Sequence, residues 1–535
     1  MVQSVSRATG LQDKSSRAAY LERETIARLQ ESLEKHGYRL VETAVLERGE
    51  LFQRKSGEQW LDRLFNFEYR GQRLCLRPEF TASIGRFFVE NLQASAKPLR
   101  LQTAGPVFRY ESHGRSRTRQ FTMVGAELIG ADGYAADAEV IAAAWAGLQC
   151  LGLSKCRLVL GHVGLLEQFL TRLGLEGRAR RFVLDHVESL RKPERGEAYV
   201  HERLRQLYSA PPAWQQTMRA RSDALRQNGG QEISEAQIGV MLDVVYASAG
   251  VEAFGGRTRE EIAARLHRKV QGSGEMDRIL KALNLAGELG RIRSAPETAF
   301  RRTKAILDSY GLDDERLVNL SKVVEMLGWL GVPAERITVD MGLGRGLHYY
   351  TGVVFEIHAD GGGADSQLCG GGRYDELLRV LGANQDVQAI GFAYGVERVR
   401  RQMELDARSP GATGVGDHTP QTDVLVIPVS EKEMKYASEV AMLLRQKLGL
   451  RTELRLKLGG SLGSSLANAG RRGIPQVVLV GAEEAAHQTI TIRGMADRQQ
   501  RTIALDTISR EDFVAPNPEP GGAPSGEETE GADLA

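Results

Sequence analysis

Apolar residues recur at helical spacing near the start of the chain and then change to strand-like alternation. Ile26, Leu29 and Leu33 fall on one face of a helix, and Gly37 follows where a C-terminal cap belongs. From residue 38 to 130, short apolar runs are broken by glycine and proline, which is typical of strands and turns. We therefore predict one helix followed by a largely antiparallel sheet.

A long helical stretch interrupts the strand pattern. Residues 135–150 read as a helix and KCRLVLGHV as a strand, after which the segment from about 165 is rich in Arg, Glu, Leu and Gln. Strand patterning resumes at RITVDMG and ends in the strand-then-helix pattern of VQAIGFAYGVERVRRQMEL. This predicts a discontinuous sheet domain of residues 16–164 and 319–405, interrupted by a helical insertion domain of residues 165–318.

The remaining chain predicts a second, smaller domain. Residues 406–421 have the Gly, Pro and Ser content of a linker, and residues 422–510 alternate strand and helix, which predicts an α/β domain with a mainly parallel sheet. The tail, residues 511–535, is rich in Pro, Gly and Glu and is expected to be disordered. The predicted fold class is α+β.

Composition excludes several protein classes. The 535 residues carry a formal net charge of +1, so the global charge names no partner. Four cysteines without a CxxC pair disfavour a zinc knuckle or a disulfide framework and fit a reducing cytoplasm. The first 20 residues have no apolar segment typical of a secretory signal, and no apolar run is long enough to span a membrane.

The segment AGPVFRYESHGRSRTRQFTMVGAELIG predicts two strands joined by a loop. Residues two apart share a face of a strand, so Arg109 and Glu111 point together, as do Phe121, Met123 and Glu127. A charged row inside a sheet needs charged partners or a polar ligand, because an isolated buried charge is costly. A solvated hairpin with an exposed Arg–Glu pair is an equally weighted interpretation of this pattern.

The loop of this hairpin and three further segments could bind anions or approach a ligand closely. The loop of the hairpin contributes Arg115, Arg117 and Arg119, a basic cluster suited to phosphate oxygens. GLGRGLHYYTGVVFE places Arg345 among glycines, although a glycine-rich turn before a core strand would read the same way. CGGGRYDELLRVLG and GFAYGVERV each place glycine and arginine where we expect a helix to begin. His113, His348 and His358 lack metal-ligand spacing, so no protein metal site is predicted.

Together these ordered segments resemble the histidyl-tRNA synthetase branch of the class II aminoacyl-tRNA synthetases, from about residue 16 to 510. LRPEFTASIGR resembles an amino-acid-contacting segment, FRYES and RQFTMVGAE resemble motif 2, RGLHYYTGVVFE resembles the histidine-specific signature, and GFAYGVERV resembles motif 3. The resemblance implies a class II antiparallel-sheet catalytic domain with a helical insertion and a C-terminal anticodon-binding domain.

The resemblance also implies roles for individual residues. Arg109 and Arg345 are implied to flank the α-phosphate of ATP as catalytic groups. The side chains implied to bind ATP are Arg109, Glu111, Arg117, Phe121 and Arg398. The side chains implied to surround histidine are Glu79, Thr81, Met123, Glu127, Tyr349, Tyr350 and Tyr374. ATP with Mg²⁺, histidine and tRNA(His) are the implied substrates and cofactors, and a cytoplasmic homodimer is the implied assembly.

Four positions depart from the family pattern. Met123 stands where the family usually has Gln, His348 where it usually has Asp, Phe80 where it has a small Gly, and Ala44 where motif 1 has its Pro. The resemblance implies that these changes make the amino-acid end of the pocket more crowded and less polar. The expected function is histidine–tRNA ligation.

The alternative is a synthetase paralogue that senses histidine without charging tRNA, as the regulatory subunit of ATP phosphoribosyltransferase does. ELIGADG and HYYTGVVF are similar to its sequence. Such paralogues usually lack the anticodon-binding domain and the motif 3 arginine, whereas this chain has both, the arginine being Arg398.

Overall fold

The computed structural model describes residues 5–56, 64–110, 118–191, 196–208, 240, 275–344, 349–361, 366–407, 422–456 and 461–513. The chain divides into two compact units, residues 1–416 and residues 417–535. No helix in these described ranges is both long and apolar enough to cross a membrane.

The first unit contains strands from both ends of its sequence. Its strands are β1 (Arg39–Leu40), β2 (Leu46–Arg48), β3 (Asn66–Tyr69), β4 (Gln72–Leu76), β5 (Leu99–Phe108), β6 (Gln120–Ile129), β7 (Cys156–His162), β8 (Arg293–Ser294), β9 (Ile337–Asp340), β10 (Val353–Ala359), β11 (Gln367–Arg373) and β12 (Ala389–Gly395). Nine of them form one sheet in the order β1-β5-β6-β12-β11-β10-β7-β9-β8, and β2, β4 and β3 form a small separate sheet.

Helices flank the large sheet. They are α1 (Ser16–Lys35), α2 (Gly49–Ser56), α3 (Thr81–Asn91), α4 (Gly133–Cys150), α5 (Gly164–Arg172), α6 (Gly177–Leu190), α7 (Gly196–Tyr208), α8 (Glu275–Gly290), α9 (Pro296–Ser309), α10 (Glu315–Trp329), α11 (Leu377–Val380) and α12 (Val396–Ala407). Helix α1 ends where the sequence predicts, and Gly37 adopts a positive φ of 83° just after it.

Alternation along β6 separates the two faces of the sheet. Val124, Ala126 and Leu128 point into the main core, which also contains apolar residues of α1, α4 and α10. Phe121 and Met123 point to the opposite face and pack with residues of α3 and β5. The period of two along the strand therefore gives one buried structural face and one face available for a site.

The described part of the predicted insertion shares the core of the sheet. Leu283 of α8, Leu307 of α9 and Leu317 of α10 belong to the same apolar core as the sheet residues, and β8 pairs with β9 at the sheet edge. The insertion boundaries at residues 165 and 318 remain predictions, and the described helices on their inner side pack on the sheet.

The second unit has its own core. It comprises β13 (Val424–Pro428), α13 (Met434–Gln446), β14 (Thr452–Leu454), α14 (Leu462–Arg471), β15 (Gln476–Val480), α15 (Ala482–His487), β16 (Thr489–Gly494) and β17 (Gln500–Ala504). Strands β14, β13 and β15 are parallel, whereas β16 and β17 are antiparallel, so the sheet is mixed where the sequence predicted a mainly parallel one. The predicted linker and the tail beyond residue 513 lie outside the described residues.

Candidate functional site

A buried carboxylate forms one end of the candidate site. Glu127 of β6 is only 2% exposed, and the Tyr374 hydroxyl donates a hydrogen bond of 2.5 Å to its Oε2. Tyr374 follows β11 directly and is itself 2% exposed. Burying a carboxylate without donors would be costly, so this hydrogen bond is part of what permits Glu127 to lie in the sheet.

Two glycines on neighbouring strands make room for these side chains. A Cβ atom on Gly391 of β12 would lie 1.5 Å from Glu127 Oε2, and one on Gly372 of β11 would lie 2.9 Å from the ring of Tyr350. The sequence prediction placed the glycine run of β11 at the start of a helix, which is wrong, because residues 370–372 are in the middle of the strand. The glycines let side chains from adjacent strands lie flat on the sheet.

Three tyrosines line the site beside the carboxylate. The Tyr349 and Tyr350 ring centroids are 4.4 Å apart, and Tyr349 meets Tyr374 edge-on at 6.0 Å. Burial, followed by nearby Glu127, raises the pKa of the Tyr374 hydroxyl well above its usual value. Burial likewise raises the pKa of Tyr349 and Tyr350. All three hydroxyls therefore remain protonated at neutral pH and can donate hydrogen bonds.

Apolar side chains form the rest of the described lining. Phe80, Phe121 and Met123 belong to the same apolar cluster as Tyr349, Tyr350 and Tyr374. Phe80 is 3% exposed, and the Arg77 guanidinium carbon lies 4.6 Å from the centre of its ring. Position 80, where the resemblance leads us to expect a glycine, thus carries a buried aromatic ring within this cluster.

Glu79 and Thr81 lie at the start of α3. The Glu79 carboxylate accepts hydrogen bonds from the backbone N–H groups of Thr81, at 2.7 Å, and Ala82, at 3.1 Å. A carboxylate at this position satisfies amides that have no partner within the helix. Glu79 therefore has a structural role in addition to its predicted contact with a substrate amino group.

Arg109 follows β5 at the stem of the hairpin. Its Nε donates to the Pro78 carbonyl oxygen at 2.9 Å, and its guanidinium carbon lies 5.2 Å from the centre of the Phe121 ring. These contacts fix the side chain next to the segment that carries Glu79. The structure thus brings Arg109, Phe121 and Glu79 into one neighbourhood, although their positions span more than 40 residues of sequence.

Arg398 lies toward the other end of β12 from the buried carboxylate. Along the pairing of β12 with β6, Gly391 is opposite Glu127, whereas Gly395 is opposite Met123. Arg398 lies in the first turn of α12, and its Nη1 donates to the Gln367 carbonyl oxygen at 3.3 Å. The described site therefore has an acidic, tyrosine-lined end and a basic end.

Several residues that the sequence analysis names lie outside the described residues. They are Glu111, His113, Arg115, Arg117, Arg345 and His348, so the roles expected for these side chains remain predictions.

Sequence reasoning missed an ion network behind the site. Arg373 Nε donates to Asp137 Oδ1 at 2.7 Å, and its Nη1 lies 3.1 Å from Asp375 Oδ1. The Thr351 N–H donates to the Arg373 carbonyl oxygen at 2.8 Å, which ties the strand after Tyr350 to the strand before Tyr374. The signal in the sequence was an Asp among the apolar residues of α4, in the row AADAEVIAAAW.

The lining suits a planar ligand with N–H groups at its inner end. Glu127 accepts hydrogen bonds, the tyrosines donate them, and aromatic faces cover the ring between. Arginines at the other end suit phosphate oxygens. Within the described residues there is no group of three His, Cys, Asp or Glu side chains that could hold a metal ion.

Comparison with known proteins gives two family matches. The model described as histidyl-tRNA synthetase matches residues 10–246 and 245–399. The model described as anticodon binding domain matches residues 423–512.

Individual relatives align over nearly all of the chain. A histidine–tRNA ligase of Pyrococcus horikoshii is 28% identical over 507 residues, covering 94% of this chain and 97% of the relative. One of Methanosphaerula palustris is 30% identical over 486 residues, covering 90% and 92%.

Solved structures share the fold. A Bacillus halodurans protein, described as an ATP phosphoribosyltransferase regulatory subunit/histidyl-tRNA synthetase, has a TM-score of 0.59 at 22% identity and covers 89% of this chain and 98% of its own. The histidyl-tRNA synthetase of Nostoc has a TM-score of 0.59 at 18% identity, covering 96% and 99%.

Proposed function

The chain belongs to the histidyl-tRNA synthetase family, and we propose that it activates histidine with ATP and transfers the histidyl group to tRNA(His). The enzyme class is that of the aminoacyl-tRNA synthetases. The observation that carries the proposal is the hydrogen-bonded pair of Glu127 and Tyr374, both buried beside Tyr349 and Tyr350.

Histidine binds with its imidazole at the Glu127 end. The carboxylate accepts one ring N–H, and the Tyr350 hydroxyl donates to the second ring nitrogen, while the Tyr374 hydroxyl donates to the carboxylate itself. An amino acid without two ring nitrogens would leave these buried groups unpaired, and such unpaired groups are the strongest source of discrimination available to a binding site. Tyr349 completes the aromatic wall through its contacts with both other tyrosines.

ATP binds toward the basic end of the site. Arg109 contacts the α-phosphate, and Phe121, already beneath the Arg109 guanidinium, covers the adenine. Arg398 reaches the γ-phosphate end, and the predicted contacts of Glu111, Arg117 and Arg345 complete the set. The histidine carboxylate attacks the α-phosphorus and pyrophosphate departs, so the arginines act by neutralising the charge that develops on the phosphate oxygens.

Mg²⁺ is expected to arrive with the triphosphate. The described residues provide no three-residue metal site, and Mg²⁺ commonly binds through substrate phosphates with few protein ligands. When bound, it would neutralise phosphate charge, and none of the protein contacts above requires it.

The amino-group end of the pocket is less polar than the imidazole end. Met123 offers only a thioether and Phe80 only a ring, while Glu79 already accepts two helix amides. Binding energy for histidine should therefore come mainly from the imidazole contacts. Thr81, at the start of α3, remains a candidate contact for the amino group.

The second unit is proposed to bind the anticodon stem-loop of the tRNA, in line with the family match over residues 423–512. We further propose that the enzyme works in the cytoplasm as a homodimer.

Histidine-dependent exchange of pyrophosphate into ATP tests the proposal directly. We expect exchange with histidine and none with other amino acids, followed by histidyl transfer to tRNA(His). Histidine binding without exchange would overturn the ligase proposal in favour of a histidine-sensing regulator, and neither binding nor exchange would overturn the pocket assignment.

A further inference from the structure

The segment before α1 lies along the stem of the hairpin. We call residues 9–14 the strap. The Gly10 carbonyl oxygen accepts the Arg119 N–H at 2.8 Å, and Arg119 Nη1 donates to the Thr9 carbonyl oxygen at 3.2 Å. The Arg119 carbonyl oxygen in turn accepts the Arg109 N–H at 2.9 Å. The strap thus lies next to the hairpin stem and is hydrogen-bonded to it through Arg119.

The Arg119 side chain is held by contacts with the strap and with Tyr110. Its guanidinium carbon lies 4.1 Å from the centre of the Tyr110 ring, in addition to the hydrogen bond to Thr9. Gly10 has a φ of 84°, and a Cβ atom there would lie 2.6 Å from Arg119 Cδ. The close approach explains why glycine is at this point of the strap. Because the Arg119 guanidinium contacts Thr9 and Tyr110, we do not assign it the phosphate-binding role suggested for the basic cluster.

A lysine at the end of the strap joins two carboxylates. Lys14 Nζ forms an ion pair with Glu22 of α1 and lies 3.3 Å from Glu397 Oε1 of α12. It also lies 3.3 Å from Thr122 Oγ1 of β6. One cation therefore contacts three elements that are distant in the chain.

The carboxylates hold β6 against α12. Both oxygens of Glu397 accept the Thr122 N–H, at 2.9 and 3.0 Å, and Glu22 Oε1 accepts the Thr122 hydroxyl at 2.9 Å. Thr122 lies between Phe121 and Met123, and Glu397 precedes Arg398. The network therefore holds the residues that flank Phe121 in β6 and precede Arg398 in α12.

We propose that Lys14, Glu22 and Glu397 are positioning residues for ATP, with the strap acting as a clamp that fixes Phe121 relative to Arg398. The inference rests on the proposed function for its kinetic consequence. Without Lys14, Glu22 and Glu397 would carry two negative charges close together, and the Glu22 side chain is only 11% exposed. Arg400, whose Nη1 is 3.9 Å from Glu22, compensates one carboxylate only in part. Glu397 would then move away from Thr122.

The test is the variant Lys14→Met with Lys35→Met as its matched control. Lys35 is at the exposed end of α1, where its Nζ lies 2.8 Å from Glu31. We expect Lys14→Met to raise the KM for ATP in pyrophosphate exchange about tenfold, the loss of one charge-assisted contact, and to leave the KM for histidine within about twofold. Lys35→Met should change neither constant. Lys14→Arg should restore most of the ATP affinity, because it restores the charge.

A double variant separates positioning from simple loss of stability. Glu22→Gln removes the charge that Lys14 compensates, so Lys14→Met combined with Glu22→Gln should recover part of the ATP affinity that Lys14→Met loses. A destabilising pair of substitutions without this coupling would show additive losses.

Hydrogen exchange of the Thr122 amide reports on the clamp without any substrate. We expect this amide to exchange about tenfold faster in Lys14→Met than in wild type, because its acceptor Glu397 is released, and to be unchanged in Lys35→Met. Unchanged Thr122 exchange would overturn the clamp even if the wild-type protein showed no pyrophosphate exchange. An active wild type with equal KM for ATP in both lysine variants would overturn the positioning role alone.

Discussion

The absence of a side chain at Gly391 leaves the space that the buried Glu127 carboxylate occupies. A methyl group in Gly391→Ala would lie 1.5 Å from Glu127 Oε2 and 2.8 Å from the Ala126 carbonyl oxygen. Gly391 is in β12 with an ordinary strand conformation, so alanine strains the packing and not the backbone itself. The carboxylate is the movable partner, because the carbonyl is held in the pairing of β12 with β6.

The size of the effect follows from these distances. Carbon and oxygen atoms in contact are at least about 3.3 Å apart, so Glu127 Oε2 must move by about 2 Å. Such a movement breaks its 2.5 Å hydrogen bond with Tyr374 and misplaces the acceptor for the imidazole. A lost hydrogen bond to a charged group costs about 1.5–3 kcal/mol, which corresponds to a loss of histidine affinity of about 10- to 150-fold.

Titration calorimetry with histidine measures this loss. The control is Gly328→Ala in α10, where an added Cβ meets nothing within 4 Å, and its affinity should equal that of the wild type. Tyr374→Phe removes the same hydrogen bond without adding volume and should weaken histidine binding in the same direction if Gly391→Ala fails to fold. A folded Gly391→Ala protein with wild-type histidine affinity would refute the assignment of Glu127 to the imidazole.

Three further predictions concern the pocket lining, the network behind it and pH. Met123→Gln should tighten histidine binding several-fold, as measured by calorimetry, if Met123 lies against the substrate amino group; an unchanged affinity places it elsewhere. Asp137→Asn should lower the unfolding free energy by about 1.5–3 kcal/mol in urea, because the buried Arg373 guanidinium loses its nearest carboxylate and keeps only Asp375 and the Ala131 carbonyl oxygen, whereas Asp386→Asn in an exposed pair should change it by less than about 1 kcal/mol. Burial and nearby guanidinium groups lower the pKa of His162 to about 3, so the unfolded chain binds the proton before the folded protein does as the pH falls below about 6.5. The free energy of unfolding of the wild type should therefore fall by up to about 1.4 kcal/mol per pH unit more than that of His162→Gln. Parallel curves of unfolding free energy from pH 7 to 5 would contradict this.

Local sequence patterns predicted the elements whose burial is one-sided. Helix α1 ends before Gly37 as expected, and the strand-then-helix pattern at residues 389–407 appears as β12 and α12. The alternation in RQFTMVGAE correctly placed Phe121, Met123 and Glu127 on one face, because period-two alternation is a property of the strand itself.

The local sequence patterns did not predict contacts between residues that are distant in the chain. The glycine run of β11 was predicted at the start of a helix, whereas Gly372 lies in a strand and leaves room for the Tyr350 ring of another segment. The sequence analysis gave Glu79 a substrate contact but not its hydrogen bonds to the first amides of α3. Those bonds could be predicted only with the exact start of the helix. The contact of Lys14 with Glu397 joins positions 383 residues apart, and no local pattern encodes such a distance.

The discontinuity of the sheet has a consequence during synthesis. Tyr374 lies 247 residues after Glu127, so at a translation rate of about 5–20 residues per second the β5–β6 hairpin waits roughly 12–50 s for the strands that cover its carboxylate. Until β12 is made, the edge of β6 that pairs with it has no partner strand. Attachment of chaperones to nascent chains should therefore be most sensitive to substitutions in the first half of the catalytic unit, long before any substrate pocket exists.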